Sequence, residues 1–530
     1  MRRWNGWGDA TIDFPVPGNA RLFLEQQLGK PAPLPDASLN EVLASIPPSR
    51  LPDHPLLIKN PKDRMLHARG HSFPDWIALR SGKLGVVPDG VAYPQGSEQV
   101  RTLLAFTKDI DGILIPYGGG TSVVGHINPP RGDRPVLTLD LARMNRLLNI
   151  DRESRIATFE AGVAGPDVES QLRAQGYTLG HYPQSFEFST LGGWIATRSS
   201  GQQSLGYGKI EHLFAGGTLE TPSGTLEIPD FPASAAGPDL REMVMGSEGR
   251  MGIFTRAKMR VQPVPPQESF RAFFFPHWDS ACDSLREAVQ AGIPLSMLRL
   301  GNAAETETQL IMAGHPTAVH LLEKWLAYRG AGAQKCMITV GISNSRRLHR
   351  HALTEIFRIF RKAKAVRVGT LLGRKWKENR FRAPYLRNSL WEIGYCVDTL
   401  ETAVNWDRVT SLMATVEAAL NQALVPEKEK VLVFSHLSHL YPQGSSIYTT
   451  FLFRVAESYG ETLSRWRKLK RKASESIVKN GGTISHHHGV GTDHAPYLVS
   501  EKGPLGIHAI QALCRTFDPD GLMNSGKLVL

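Results

Sequence analysis

The most informative part of the chain is the stretch Ile115-Pro116-Tyr117-Gly118-Gly119-Gly120-Thr121-Ser122. An apolar, strand-like run, residues 112–115, leads into three successive glycines and two hydroxyl side chains. Three glycines allow the backbone to turn so that several N–H groups point at one anion, and the hydroxyls add donors. A pyrophosphate is the natural occupant of such a loop, and a glycine-rich turn without a ligand is the alternative.

Two other phosphate-binding motifs are incomplete in this sequence. A GxGxxG fingerprint is not formed, because Val123 stands where the third glycine should be. Residues 521–527 imitate a P-loop, but Leu528 replaces the Ser or Thr that the motif needs. The chain therefore has neither a dinucleotide fingerprint of the GxGxxG type nor a P-loop.

Two later segments share the composition of the first loop. Residues 184–201 read QSFEFSTLGGWIATRSSG, and residues 246–255 read GSEGRMGIFT. Each combines glycines with small or hydroxyl side chains, and any one of them alone is compatible with a structural turn. Their occurrence in order within one β-rich part of the chain indicates a nucleotide site.

The pattern along the chain predicts an α+β protein in four parts. Residues 1–85 form an N-terminal extension, and residues 86–265 alternate short β-rich runs with helices, which predicts two small sheets. Residues 266–490 alternate helix and strand in a way that suggests a ferredoxin-like α/β cap over one antiparallel sheet. Residues 491–530 return to the first domain. The cap helices are predicted at residues 280–291, 317–328, 345–364 and 455–480.

The three segments resemble the FAD-binding signatures of the vanillyl-alcohol-oxidase, or PCMH-type, flavoprotein superfamily. The resemblance implies a two-subdomain PCMH-type FAD-binding domain, with the flavin pyrophosphate on the first loop and the isoalloxazine ring facing the cap. No histidine precedes the glycine loop as in covalently flavinylated members, so we expect non-covalent FAD. His126 departs from the pattern, because the family often has glycine there. The residues implied to line FAD are Pro116, Tyr117, Gly118, Gly119, Gly120, Thr121, Ser122, Gln184, Ser185, Phe186, Glu187, Phe188, Ser189, Thr190, Thr197, Arg198, Ser199, Ser200, Glu248, Gly249, Arg250, Met251, Gly252, Ile253 and Phe254.

Three further motifs resemble one branch of the superfamily, the alkyldihydroxyacetonephosphate synthases. They are WNGWG at residues 4–8, FRAPYLR at 381–387 and SHHHGVG at 485–491. The resemblance implies exchange of an acyl chain for a fatty alcohol on dihydroxyacetone phosphate, through an adduct at flavin N5. The alternative is an FAD-dependent oxidoreductase that takes hydride from a hydroxy acid or alcohol onto N5. Asn388 stands where the synthase pattern has aspartate, which bears on the identity of the substrate.

The triple histidine His486-His487-His488 is the candidate acid–base group. On a strand, His486 and His488 would face one side and could share a proton or position an alcohol oxygen. A metal site would need further ligands from elsewhere, and no HExxH spacing is present, so the sequence predicts no metal. A chance cluster of histidines is the remaining alternative.

Tyr448 and Arg387 complete the candidate site. The resemblance gives Tyr448 the role of acid/base, and the histidines and Arg387 are the cations that would lower its pKa. Arg387 suits a phosphate or carboxylate, since guanidinium presents a planar, bidentate fork. Core packing for the tyrosine and a surface salt bridge for the arginine are the alternatives.

Charge and cysteine content limit the partners. The net charge is +11, and the stretch Arg346–Arg382 is densely basic. This stretch predicts either a solvated helix face or contact with an anionic target such as a membrane surface or an anionic small-molecule or lipid substrate. No nucleic-acid-binding signature accompanies it. The four scattered cysteines and the lack of an apolar run after Arg3 predict free thiols and a cytoplasmic protein, peripheral to a membrane if the basic stretch binds one. A homodimer is left open.

Overall fold

The computed structural model describes residues 2–529. The first part of the chain builds a four-stranded sheet in the order β1-β2-β4-β3, in which β4 runs parallel to both β2 and β3. Strand β1 adds the N-terminal segment to this sheet. The elements are α1 (Gly18–Leu28), α2 (Leu39–Ala44), β1 (Leu57–Ile58), α3 (Pro61–Leu66), α4 (Phe73–Ser81), β2 (Gly90–Ala92), α5 (Ser97–Asp109), β3 (Ile113–Tyr117) and β4 (Val136–Asp140).

A second, five-stranded antiparallel sheet follows, in the order β5-β6-β10-β8-β9. Strands β7 and β11 pair separately. The elements are β5 (Leu147–Asp151), β6 (Ile156–Glu160), α6 (Gly165–Arg173), β7 (Tyr177–Thr178), α7 (Leu191–Ala196), α8 (Ser204–Tyr207), α9 (Ile210–Leu213), β8 (Phe214–Thr221), β9 (Gly224–Ile228), α10 (Leu240–Val244), β10 (Ile253–Arg260) and β11 (Gln262–Pro263).

The cap is one seven-stranded antiparallel sheet in the order β15-β12-β14-β13-β17-β18-β16. The predicted α+β class, with two small sheets and a cap over one antiparallel sheet, is therefore confirmed. The elements are β12 (Gln267–Phe275), α11 (Trp278–Gln290), β13 (Met297–Gly301), α12 (Ala303–Met312), α13 (Pro316–Tyr328), β14 (Cys336–Asn344), α14 (Arg346–Lys362), β15 (Val366–Arg367), α15 (Leu371–Asn379), α16 (Leu386–Glu392), β16 (Tyr395–Asn405), α17 (Val409–Ala423), β17 (Leu432–Leu437), β18 (Gly444–Arg454), α18 (Tyr459–Lys479) and α19 (Leu498–Phe517).

The two faces of the cap sheet contact different parts of the molecule, because side chains alternate along a strand. On β18, Ile447 and Phe451 lie in the main core, which the sheet forms with α11, α14, α17 and α18. Tyr448, Thr450 and Leu452 project from the opposite face and line a large cavity. The alternation thus directs one row of side chains from each central strand into this cavity.

A distant segment completes the first sheet. The N–H of Leu114 donates to the carbonyl of Leu522 at 2.9 Å, and the N–H of Asn524 donates to the carbonyl of Leu114 at 2.9 Å. Below this bridge, Asn524 Nδ2 donates to the backbone carbonyls of Glu248 at 2.7 Å and His126 at 3.0 Å. The last part of the chain therefore fixes the base of the glycine-rich loop, which follows β3.

All four cysteines are free. Among residues 2–529, no helix combines the length and apolar character that crossing a membrane requires.

Three buried histidines are expected to make the fold sensitive to acid. Burial lowers the pKa of His71, His181 and His494 to about 3, against an ordinary value near 6.5. Below about pH 6.5 the unfolded chain binds these protons and the folded chain does not, so stability falls as the pH falls through this window, by about 1.4 kcal/mol per pH unit for each histidine. Denaturant unfolding should show a loss of about 4 kcal/mol between about pH 7 and about pH 5.5. Unchanged midpoints would contradict this.

Candidate active site

One cavity of about 940 Å³ lies between the glycine-rich loops and the cap sheet. Most residues that the resemblance implied for FAD line this cavity, although they come from three separate segments. They are Pro116, Tyr117, Gly118, Gly119, Gly120, Thr121, Ser122, Gln184, Ser185, Ser189, Thr190, Thr197, Ser199, Ser200, Glu248, Gly249, Gly252, Ile253 and Phe254.

The loop after β3 is packed so tightly that glycine is required. A Cβ atom on Gly119 would lie 1.6 Å from the carbonyl oxygen of Phe188, and one on Gly118 would lie 2.1 Å from Oγ1 of Thr190. Gly120 has φ +68°, a left-handed conformation that favours glycine. The backbone of this loop can therefore approach a ligand closely, which is what a diphosphate held by N–H groups demands.

Six of the implied residues do not line the cavity. Phe186 stacks on Phe381 at 4.8 Å, and Phe188 packs edge-on against Trp7 at 5.7 Å. These contacts support the walls. The other four are Glu187, beside Tyr385; Arg198, paired with Glu211 and Glu242; Arg250, which donates to the carbonyl of Met523; and Met251, in the core of the second sheet.

His126 has a defined place in the loop. Its Nδ1 lies 2.8 Å from Oγ of Ser122, and its backbone N–H donates to the same oxygen at 3.0 Å. Its Nε2 lies 3.2 Å from Glu248, whose carboxylate also accepts the N–H groups of Val490 at 2.5 Å and Gly491 at 2.8 Å. His126 therefore closes the turn and links it to the histidine segment, without the glycine that the family often has.

Tyr448 projects into the cavity from the middle of β18. Its hydroxyl donates to Oε1 of Gln184 at 3.5 Å, and its ring stacks on His436 at 4.7 Å. Burial raises its pKa, Glu401 adds to this, and Arg299 opposes it. The expectation that the histidines and Arg387 would lower this pKa is therefore wrong for the protein without its cofactor, since desolvation of the phenolate dominates.

Next to Tyr448 lies a charged group that no motif in the sequence indicated. His436 Nδ1 lies 2.9 Å from Oε1 of Glu305, and Arg299 donates to the same oxygen at 2.6 Å. Burial would raise the pKa of Glu305, but Arg299 and His436 overcome this and lower it to about 2. Arg299, Glu305 and His436 thus form an ion-pair cluster next to Tyr448.

The histidine segment surrounds a buried carboxylate. Residues 486–488 form bends rather than a strand, so the predicted same-face placement of His486 and His488 is wrong. His487 and His488 line the cavity, whereas His486 contacts Tyr441 at 2.6 Å. The carboxylate is Glu401 of β16, a residue that sequence reasoning missed because only strand pairing brings it here.

His439 is the other missed member of this cluster. It follows β17, and its Nδ1 lies 3.0 Å from the hydroxyls of both Ser200 and Ser204. Burial would raise the pKa of Glu401, but His487, His486 and His439 together hold it well below its ordinary value. The one signal in the sequence was the spacing His436-x-x-His439, at the end of a strand-like run.

Arg387 reaches the cavity from α16. Its side chain lies over the ring of Trp76 at 4.6 Å, and Nη1 donates to the carbonyl of His71 at 2.5 Å. Nη2 is buried and has no hydrogen-bond partner among the described residues. Burial lowers the pKa of this guanidinium, yet an arginine stays charged at neutral pH. A buried, unsatisfied cation at the cavity wall favours an anionic ligand.

Asn388 has a structural role. Its amide Oδ1 accepts the N–H of Trp7 at 3.0 Å, and Nδ2 donates to the carbonyl of Trp7 at 3.0 Å. The residue is buried and does not line the cavity. Its departure from the synthase pattern therefore affects how the WNGWG segment is held, and not a contact to a substrate in the cavity.

The basic stretch Arg346–Arg382 is divided between surface and cavity. On α14, the apolar side formed by Ala352, Ile356 and Ile359 is buried, and the arginines lie on the exposed side. Lys375, in the middle of α15, and Arg380, just after this helix, line the cavity.

Comparison with known proteins agrees with this geometry. Residues 88–228 match the family described as FAD binding domain, and residues 264–528 match the C-terminal domain of FAD linked oxidases. Together with the glycine-rich loops that line the cavity and the cap, these matches define an FAD-dependent enzyme. The glycine-rich loops fit FAD, because serine and threonine hydroxyls and closely approaching backbone occur together beside one large cavity.

More specific likeness is to one group of enzymes. The alkyldihydroxyacetonephosphate synthases of Dictyostelium discoideum and Trypanosoma brucei brucei are 30% and 28% identical to the chain, over 99% of it and 93% and 92% of their own lengths. A solved alkyldihydroxyacetonephosphate synthase superposes with a TM-score of 0.85 at 27% identity, covering 99% of this chain and 98% of that one. The chain belongs to the alkyldihydroxyacetonephosphate synthase family.

Proposed function

We propose that the protein forms an alkyl ether of dihydroxyacetone phosphate by exchanging the acyl chain of its ester for a long-chain alcohol. The observation that carries this proposal is the change in polarity along the cavity. The side chains of β17 and β18 that face the cavity are polar at one end of the strand pair, where His436 lies opposite Tyr448. They are apolar at the other end, where Leu432 lies opposite Leu452.

The apolar part extends beyond the sheet. Phe23 and Leu24 of α1, Leu310 and Ile311 of α12 and Leu372 of α15 line the same cavity. A hydroxy acid of a few carbons would leave this region unfilled, whereas an acyl or alkyl chain would bury its apolar surface there, at about 0.8 kcal/mol per methylene. The shape therefore supports a lipid substrate over a small polar one.

The polar end supplies groups for each part of the reaction. We assign the substrate phosphate to Arg387, whose free Nη2 offers a charge-assisted hydrogen bond. Tyr448 is placed to take and return the proton at the reacting carbon, and His488, whose ring centroid lies 6.1 Å from that of Tyr448, is placed to hold the alcohol hydroxyl. Bound FAD, held non-covalently, supplies an electron-accepting ring system. Ser122, Thr190 and their loops would hold its diphosphate.

The alternative is oxidation of a hydroxy acid or alcohol, which the match to FAD linked oxidases supports. The two activities differ in net redox change. Anaerobic addition of acyl-dihydroxyacetone phosphate and a fatty alcohol should give ether product while the oxidised flavin spectrum is unchanged at completion. Lasting bleaching of the flavin by a hydroxy acid or alcohol alone, with no ether formed, would establish the oxidoreductase instead.

Substitution of Arg387 by alanine should weaken substrate binding with little effect on kcat. Losing a hydrogen bond from a charged donor costs about 1.5–3 kcal/mol, so KM for the phosphorylated substrate should rise about 10- to 150-fold. Steady-state kinetics with the ester phosphate checks this, and Arg286→Ala, an exposed arginine on α11, is the matched control. An unchanged KM would remove Arg387 from substrate binding.

We further propose that the exposed face of α14 contacts an anionic membrane surface from which lipid substrates are taken. Each basic residue near such a surface contributes about 1 kcal/mol. Reversing the charge of Arg346, Arg347 and Arg350 should therefore abolish co-sedimentation with anionic vesicles at moderate salt. Reversal of Lys428 and Lys430, in a loop elsewhere on the cap, should not. Equal binding by both variants would show that α14 is only a solvated face.

A further inference from the structure

Glu401, His439, His486 and His487 converge on one point from three separate parts of the cap. Glu401 lies in the middle of β16, His439 follows β17, and the two other histidines follow α18. One ligand atom from each of these four side chains lies within 4.8 Å of every other. The backbone N–H of His486 donates to the carbonyl of Glu401 at 3.1 Å, which fixes the histidine segment against the strand.

Three of the distances between ligand atoms lie between 3.4 and 3.9 Å, close to the separations in a metal site. Oε1 of Glu401 lies 3.4 Å from Nδ1 of His486 and 3.9 Å from Nε2 of His439. Nδ1 of His486 lies 3.4 Å from Nδ1 of His487. A tetrahedral zinc ion with bonds of about 2.0–2.1 Å has ligand atoms about 3.3 Å apart, so small side-chain adjustments would complete its coordination.

The outward ring nitrogens are held in the way that ligating histidines require. Nδ1 of His439 faces the hydroxyls of Ser200 and Ser204, and Nε2 of His486 faces the hydroxyl of Tyr441. When the outward nitrogen donates its proton to a hydroxyl oxygen, the inward nitrogen has a lone pair free. Such outer partners orient ligands at most histidine metal sites.

The buried carboxylate gives an independent indication. Within residues 2–529, Oε2 of Glu401 is inaccessible and accepts no hydrogen bond, although it contacts Nδ1 of His487. The carboxylate side chain is fully buried. Oε1 accepts only a long hydrogen bond from Oγ of Ser438, at 3.5 Å, so this buried charge is weakly compensated by hydroxyl donors, and a cation placed among the four ligand atoms would balance it.

We propose that Glu401, His439, His486 and His487 bind one divalent transition-metal ion, with Zn²⁺ the best match. Three imidazoles disfavour Mg²⁺ and Ca²⁺, which prefer oxygen ligands. The ion would fasten the histidine segment to β16 and so fix the position of His488 in the cavity. This proposal goes beyond the catalytic one, since it concerns metal binding and does not depend on which reaction is catalysed.

The test is metal titration of the FAD-containing enzyme after treatment with a chelator. Zn²⁺ in competition with a chromogenic chelator should bind once per chain, and Mg²⁺ should not compete. Glu401→Gln and His439→Ala should each weaken Zn²⁺ binding at least about 100-fold, as loss of a ligand in a four-ligand site demands. His351→Ala, an exposed histidine on α14, should bind as the wild type does.

X-ray absorption at the zinc edge of the wild type gives a check that needs no variant. It should show three imidazole nitrogens and one carboxylate oxygen at about 2.0–2.1 Å. Sulfur ligands, or equal affinity in wild type, Glu401→Gln and His439→Ala, would overturn the proposal. The flavin spectrum and the ether-forming assay are read separately, so an enzyme that turns over without binding Zn²⁺ would refute the metal site alone, and Zn²⁺ binding without turnover would refute only the proposed reaction.

Discussion

Replacement of Gly119 by alanine is expected to give a protein that no longer retains FAD. The new Cβ atom would lie 1.6 Å from the carbonyl oxygen of Phe188, a backbone atom that cannot rotate away. The loop must therefore shift, and its N–H groups must leave the positions from which they hold the diphosphate. Loss of two charge-assisted hydrogen bonds costs about 3 kcal/mol or more, which is at least about a 100-fold rise in Kd.

Absorbance of the purified variant and fluorescence titration with FAD measure this effect. The matched control is Gly96→Ala, at the N-terminal cap of α5 in the same part of the chain, where an added Cβ meets nothing within 4 Å and the backbone is extended. A Gly119→Ala protein with the wild-type flavin spectrum and affinity would show that this loop does not hold the diphosphate, and the cofactor placement would have to be abandoned.

Replacement of Tyr448 by phenylalanine is expected to leave the flavin bound and to lower turnover about 10²- to 10⁴-fold, the usual worth of a positioned acid–base group. The ring keeps its place against His436, so packing is preserved, and only the hydroxyl that faces Gln184 is lost. Because burial raises the pKa of this phenol, the hydroxyl holds its proton in the resting protein and must lose it before it can accept the proton of the reacting carbon.

Tyr395→Phe provides the control for Tyr448→Phe. Tyr395 is a buried tyrosine on the neighbouring strand β16, and its hydroxyl donates to the carbonyl of Gly29, away from the cavity. Its loss should cost about 1 kcal/mol of stability and leave kcat unchanged. Turnover of Tyr448→Phe at the wild-type rate would exclude Tyr448 as the acid–base group.

The sequence predicted the parts of the fold that depend on local patterns. The triple glycine at residues 118–120 and the cap helices have short-range signatures, and the structure contains each of them. Element ends were less accurate. The helix predicted at residues 455–480 begins at Tyr459, because the side chain of Ser458 accepts the N–H of Glu461 and caps it there.

The site was only partly predictable, because its geometry depends on pairing between distant strands. Glu401 reaches the histidines through the register of β16 with β18, in which it lies opposite Tyr448. No feature of the sequence around Glu401 indicates this register. The pKa of Tyr448 was expected to fall, since burial could not be read from the sequence. Asn388 was expected to bear on substrate identity, yet it holds Trp7.

The bridge between Leu114 and residues 522–524 has a consequence for how the enzyme matures. The first sheet and the floor of its glycine turn stay incomplete until a segment synthesised several hundred residues later has docked. Domains generally fold as units while the chain is made. Here the nucleotide-binding part must wait for the whole cap to be translated, so flavin capture is a late event, and a fragment ending after β11 would emerge from the ribosome unable to retain its cofactor.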